Sequence, residues 1–138
     1  MRITIGRLSR RLRRTAAGAA ADLTPTRVSV LLTVVREGPI RVSALAETEG
    51  LNPTMLSRTI TDLVDAGLLS RATDDGDRRA AWVRATGAGE RLAARMRRER
   101  TDAVNAALAG LSGTDRRLLE RALPALERLA DQLRDARP

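Results

Sequence analysis

The chain has 138 residues with 25 Lys+Arg against 17 Asp+Glu, a formal net charge of +8, and every one of those 25 cations is arginine. Cysteine, histidine, lysine, phenylalanine and tyrosine are absent, which excludes a disulfide framework, a thiol sensor and a zinc finger. The commonest catalytic bases and nucleophiles are missing with them, so an enzyme is not expected, and neither is a cofactor.

The length is that of one domain. No apolar run reaches the length of a membrane span, and no long apolar stretch follows the basic start, so the expectation is a cytoplasmic protein without a membrane partner. The positive excess points to a polyanion, nucleic acid before anionic membrane. It is unevenly placed: residues 1–35 carry +6, residues 41–84 carry −1 and residues 85–138 carry +3. If the middle of the chain contacts a polyanion, it does so with a few placed residues.

In chain order, Ile5, Leu8, Leu12, Ala16 and Ala19 recur at helical spacing and predict a first helix over residues 4–21. Its other side carries Arg7, Arg10, Arg11, Arg13 and Arg14. Thr24-Pro25 joins an N-cap to a proline in the first helical position. It opens a second helix whose stripe is Val28, Leu31, Leu32 and Val35, stopped by Gly38-Pro39. Ile40 is a candidate for a very short strand. A third helix is predicted over residues 42–49, with Val42, Leu45 and Ala46 inward, followed by the tight turn Gly50-Leu51-Asn52.

Asn52-Pro53 repeats the capping logic and opens a fourth helix with Leu56, Ile60, Leu63 and Val64 inward, ended by Gly67. Residues 68–71 and 81–84 are strand-like, and Thr73-Asp74-Asp75-Gly76-Asp77 between them is rich in turn formers. This predicts a two-stranded hairpin with a charged tip. Thr86 caps a long fifth helix with Leu92, Met96, Ala103, Val104, Ala107, Leu108 and Leu111 on one side. Ser112 with Asp115 has the form of a capping box. It starts a sixth helix lined by Leu119, Leu123, Leu126, Leu129 and Leu133, in which Pro124 should produce a kink or break.

Helix, tight turn, helix, then hairpin is the order of a winged helix-turn-helix, which presents one helix N-terminus to a DNA major groove. The fold class expected is therefore mainly α with a small β-hairpin wing: four helices, two strands, two helices. The outward face of the fourth helix, Pro53, Thr54, Ser57, Arg58 and Thr61, sets short hydroxyl side chains around one guanidinium. Such a face lets the backbone approach DNA, and the arginine can fork onto guanine O6 and N7. The same residues also suit a solvated helix face. One arginine of Asp77-Arg78-Arg79 at the hairpin tip could enter a minor groove, or the tip could simply be solvated.

Residues 42–89 resemble the MarR (multiple-antibiotic-resistance regulator) family. The matching pieces are Ser43-Ala44-Leu45-Ala46, Leu51-Asn52-Pro53-Thr54-Met55-Leu56-Ser57-Arg58, Leu63-Val64-Asp65-Ala66-Gly67-Leu68-Leu69-Ser70-Arg71, Asp77-Arg78-Arg79 and Thr86 with Gly89. The resemblance implies a sequence-specific transcriptional regulator, most often a repressor. It would act as a homodimer on a pseudo-palindromic operator in double-stranded DNA. Residues 1–23 and 87–138 would form the dimerisation helices and residues 24–86 the DNA-binding domain. Asn52, Pro53, Thr54, Ser57, Arg58 and Thr61 would serve the major groove, Arg79 with Arg78 the minor groove, and Asp77 would brace the wing. A small anionic or phenolic effector that releases DNA is implied as a possibility. The departures are Ala85, where the family usually has Leu, and Pro124 within the last helix. The competing readings are a constitutive or architectural DNA-binding protein without an effector, and an interaction module docking its arginine-rich first helix on a membrane or acidic protein.

Overall fold

The computed structural model describes residues 1–73 and 81–135. They form α1 (Arg2–Arg13), α2 (Ala16–Ala20), α3 (Pro25–Glu37), β1 (Ile40–Arg41), α4 (Val42–Glu49), α5 (Pro53–Asp65), β2 (Leu69–Thr73), β3 (Ala81–Ala85), α6 (Gly87–Ala109) and α7 (Gly113–Asp135). The chain falls into two compact units, Met1–Thr101 and Asp102–Pro138.

Seven helices among the described residues replace the six expected, because the predicted first helix is two. Arg14 is extended, with φ −86° and ψ 124°. Thr15 then starts α2 afresh, its hydroxyl oxygen accepting the Gly18 N–H at 3.1 Å. The Ala17 N–H donates to both carboxylate oxygens of Glu99 on α6, at 3.1 and 3.3 Å. A polar side chain far along the sequence thus holds a helix start that apolar periodicity alone reads through.

The proline-led helices begin where the capping residues put them. Thr24 accepts the Arg27 N–H and Asn52 accepts the Met55 N–H at 2.8 Å. These bonds satisfy donors that the first turn of a helix leaves without partners. Between α4 and α5 the chain reverses at Gly50, whose φ of 63° and ψ of 34° lie in the left-handed region that glycine enters without strain. The Leu51 N–H returns to the Ala46 carbonyl at 3.1 Å and closes the turn.

The wing strands belong to a three-stranded antiparallel sheet in the order β1-β3-β2. Ile40 lies opposite Val83, and Leu69 to Thr73 run opposite Ala85 to Ala81. The short strand at Ile40 is present and ties the hairpin to the start of α4. The Arg41 guanidinium lies 5.2 Å from the centroid of the Trp82 ring directly across the sheet, close enough for a cation–π contact.

The core of the first unit contains Leu31 and Val34 of α3, Leu45 of α4, Leu56, Ile60 and Leu63 of α5, Val83 of β3, and Leu92 and Met96 of α6. Val30 of α3 is also fully buried, whereas Leu32 and Val35 are only partly covered. This differs from the single stripe expected of that helix, since α3 packs against α4 and α5 as well as β3. The buried Thr33 hydroxyl donates to Glu49 at 2.5 Å, joining α3 to the end of α4.

In the second unit, α7 runs through Pro124 without ending, so of the expected kink or break the break does not occur. A proline removes one N–H and crowds the carbonyl four residues earlier. That carbonyl belongs to Glu120, and with Glu120, Arg121, Leu123 and Pro124 all exposed water can satisfy it. Leu118, Leu119, Leu123, Leu126 and Leu133 are exposed on this helix. Among the described residues, no helix is long and apolar enough to cross a membrane.

Candidate nucleic-acid interface

Helix α5 is amphipathic along its whole length. Leu56, Ile60 and Leu63 are essentially inaccessible and Thr59 is buried beside them. That burial is what orients the opposite face. Arg27 near the start of α3 adds a polar clamp, its Nη2 lying 2.5 Å from the Asp62 carboxylate near the far end of α5. An exposed pair of this kind contributes little to stability, but it ties α5 to the central helix beneath it.

The structure brings Asn52, Pro53, Thr54, Ser57, Arg58 and Thr61 together on one exposed surface. Their roles divide. Asn52 is committed by its side-chain oxygen to capping, and Pro53 supplies the fixed φ of the first helical position. The Thr61 hydroxyl donates to the Ser57 carbonyl at 2.9 Å, leaving its oxygen free to accept. Among the described residues, the side chains of Thr54, Ser57 and Arg58 make no hydrogen bond or ion pair. Asn52, Thr54, Met55, Arg58 and Thr59 line a shallow concavity of about 540 Å³.

Met55 is the residue that the sequence reading missed. It is 49% exposed at the edge of this polar face, between Arg58 and the buried Thr59. An exposed thioether beside a guanidinium offers an apolar contact for a thymine methyl next to a fork for guanine. The signal was present in the spacing, because Met55 and Arg58 stand three residues apart on one helix face.

The wing is described only at its base. Arg71 and Arg84 are exposed there, and Arg84 Nε lies 3.3 Å from the Ser70 hydroxyl. Asp77, Arg78 and Arg79, assigned from the sequence to the wing tip, lie outside the described residues.

Comparison with known proteins adds independent findings. The model of the MarR family matches residues 23–81. An HTH-type transcriptional regulator of Mycobacterium tuberculosis is 31% identical over 130 residues, covering 94% of this chain and 90% of the relative. Among solved structures, RV1404 from Mycobacterium tuberculosis superposes with a TM-score of 0.82 at 22% identity over 94% of this chain and 88% of that one. NadR in complex with 4-hydroxyphenylacetate gives 0.74 at 19% identity, over 97% and 89% of the two chains. FabT of Streptococcus pneumoniae in complex with DNA gives 0.68 at 15% identity, over 81% and 78%.

Proposed function

The chain belongs to the MarR family of helix-turn-helix transcriptional regulators, which bind DNA and are not enzymes, and from that premise we propose that it is a cytoplasmic repressor that reads its operator with the exposed face of α5. The observation that carries this reading is the cluster of Thr54, Met55, Ser57 and Arg58 at the start of α5, exposed while the other side of the helix is locked into the core. The helix N-terminus adds partial positive charge and N–H groups for a phosphate. In the same reading Arg79, with Arg78, reaches the minor groove, and Asp77 braces the wing. FabT, of the same fold, has been captured on DNA.

Two copies would act together. Ile3, Ile5 and Leu8 of α1 are exposed, as are Leu118, Leu119, Leu123, Leu126 and Leu133 of α7. Apolar surface on that scale commonly marks an association face. With residues 1–23 and 87–138 pairing the copies, the two DNA-binding segments, residues 24–86, would meet half-sites about 34–36 Å apart on a pseudo-palindrome. A band-shift titration tests the wing assignment: Arg79→Ala is expected to weaken binding to the operator by about 1–3 kcal/mol. Unchanged binding would remove the wing from the interface.

An effector site is supported by Arg100 of α6. Its Nε is buried and, among the described residues, has no hydrogen-bond partner, a state that buried polar groups rarely occupy. Arg100 lines a cavity of about 250 Å³ with Pro25, Val28, Ser29 and Leu32. An apolar cleft with one guanidinium suits a small aromatic acid, the chemistry that NadR binds as 4-hydroxyphenylacetate. We expect 4-hydroxyphenylacetate to release operator from the natural protein and to lose this effect in Arg100→Gln, whose basal DNA affinity stays the same. Release that survives the substitution would place the effector elsewhere. No release by any of a panel of aromatic acids would favour the constitutive regulator.

A further inference from the structure

We propose that the arginine face of α1 is a second binding site, distinct from α5 and from the Arg100 cleft, for an oligophosphate anion. Arg7, Arg10 and Arg11 stand at i, i+3 and i+4 on α1, the spacing that stacks side chains on one side of a helix, and Arg14 follows as its extended C-cap. All four are exposed. With Pro25, at the first position of α3, they line a concavity of about 810 Å³, within the size range of small-molecule sites.

The electrostatics of this face are unbalanced. Among the described residues none of the four arginines takes part in an ion pair, and Asp22 is the only acid in residues 1–35. Like charges three and four residues apart destabilise a helix. The α1 helix has no acidic residue to offset them. A protein that needed the charge only for solubility could scatter it; here four guanidiniums open into one hollow.

The ligand class follows from the donors. A guanidinium presents a planar fork that matches phosphate oxygens two at a time. A single carboxylate engages one such fork and leaves the other three unpaired. Consecutive phosphates supply oxygens to neighbouring forks at once and neutralise several charges together. Of the apolar residues of α1, Ile5, Leu8 and Leu12 fall on a different side of the helix from the arginines, and only Ile3 shares theirs, one turn before Arg7. Burying Ile5, Leu8 and Leu12 between two copies leaves the arginine face accessible. Among the described residues the Arg100 cleft shares only Pro25 with this hollow and offers a single cation in an apolar setting.

Calorimetric titration of the full chain at low salt tests the proposal with inorganic triphosphate, ATP, sulfate and benzoate. We expect triphosphate and ATP to bind at one site per chain with comparable affinity, since phosphates alone are recognised, and sulfate and benzoate to bind at least tenfold more weakly. Arg7→Gln combined with Arg11→Gln should weaken triphosphate at least tenfold without lowering the melting temperature. Arg58→Gln and Arg100→Gln should leave it unchanged. Three results would overturn the assignment: no triphosphate binding, binding that survives the double substitution, or binding lost on Arg58→Gln. Displacement of bound triphosphate by a random DNA duplex from the Arg58→Gln protein would also overturn it, by giving the face to the DNA backbone instead.

Discussion

Gly89→Ala is expected to destabilise the protein by about 3 kcal/mol, at the upper end of the usual cost of overpacking a core. For a chain of this size that lowers the melting temperature by roughly 10 °C or more. Gly89 is buried in the first turn of α6, and a Cβ there would stand 2.1 Å from the Leu68 carbonyl oxygen, 3.1 Å from its carbon and 3.3 Å from Leu31 Cδ1. The principal obstacle is backbone, so no rotamer change relieves it. The Leu68 carbonyl is itself held, accepting the Thr86 N–H at 3.0 Å. Thr86 also donates its hydroxyl to the Gly67 carbonyl at 2.7 Å and accepts the Gly89 N–H at 3.1 Å. These bonds bind the entry to the wing to the start of α6, and an alanine would force the two apart. Gly6→Ala serves as the control. It lies in α1, where an added Cβ meets only the end of Arg10 at 3.7 Å, and it should be neutral or stabilise by up to about 1 kcal/mol. Thermal denaturation of the two variants reads the contrast; equal melting temperatures would refute the packing at Gly89.

Arg58→Ala should weaken binding to the preferred operator by about 1–3 kcal/mol and relax the choice of base at one position in each half-site. It should leave the fold intact. Its side chain is exposed and makes no ion pair among the described residues, so none of them loses a partner when it goes. An arginine that only touched phosphate would behave differently, weakening all duplexes alike and flattening the salt dependence. Titration against specific and random duplexes at two salt concentrations separates the two roles. Affinity unchanged on both would take Arg58, and the reading of α5 with it, out of the interface.

The sequence was most legible where local chemistry decides. Thr24-Pro25 and Asn52-Pro53 marked two helix starts to the residue, because a capping oxygen and a proline at the first position act within one turn. The exposed face of α5 followed from the burial of Leu56, Ile60 and Leu63, which share a helical stripe. Thr86 was legible as the cap of the long helix, and its hydroxyl does accept the Gly89 N–H; Gly89, which entered only through the family resemblance, gains its physical reason in the close approach to Leu68. The failures lie where distant residues decide. Nothing near Arg14 announces that α1 ends there, since the carboxylate that receives the Ala17 N–H comes from Glu99. Val30 was missed because a helix at the centre of a fold is buried on more than one side, which a single-stripe pattern cannot express. Of the kink or break expected at Pro124, the break does not occur, because the cost of a proline depends on whether the freed carbonyl meets water.

On the operator, the start of α5 is proposed to lie in the major groove. Dimethyl sulfate methylates guanine N7, an atom exposed only in that groove, so protection of N7 on a bound operator reports the contact directly. The account predicts protected guanines in two patches about one helical turn apart, and the loss of protection at a single guanine in each patch when Arg58 is replaced by alanine. A fully bound duplex whose guanine N7 atoms all remain reactive would contradict it.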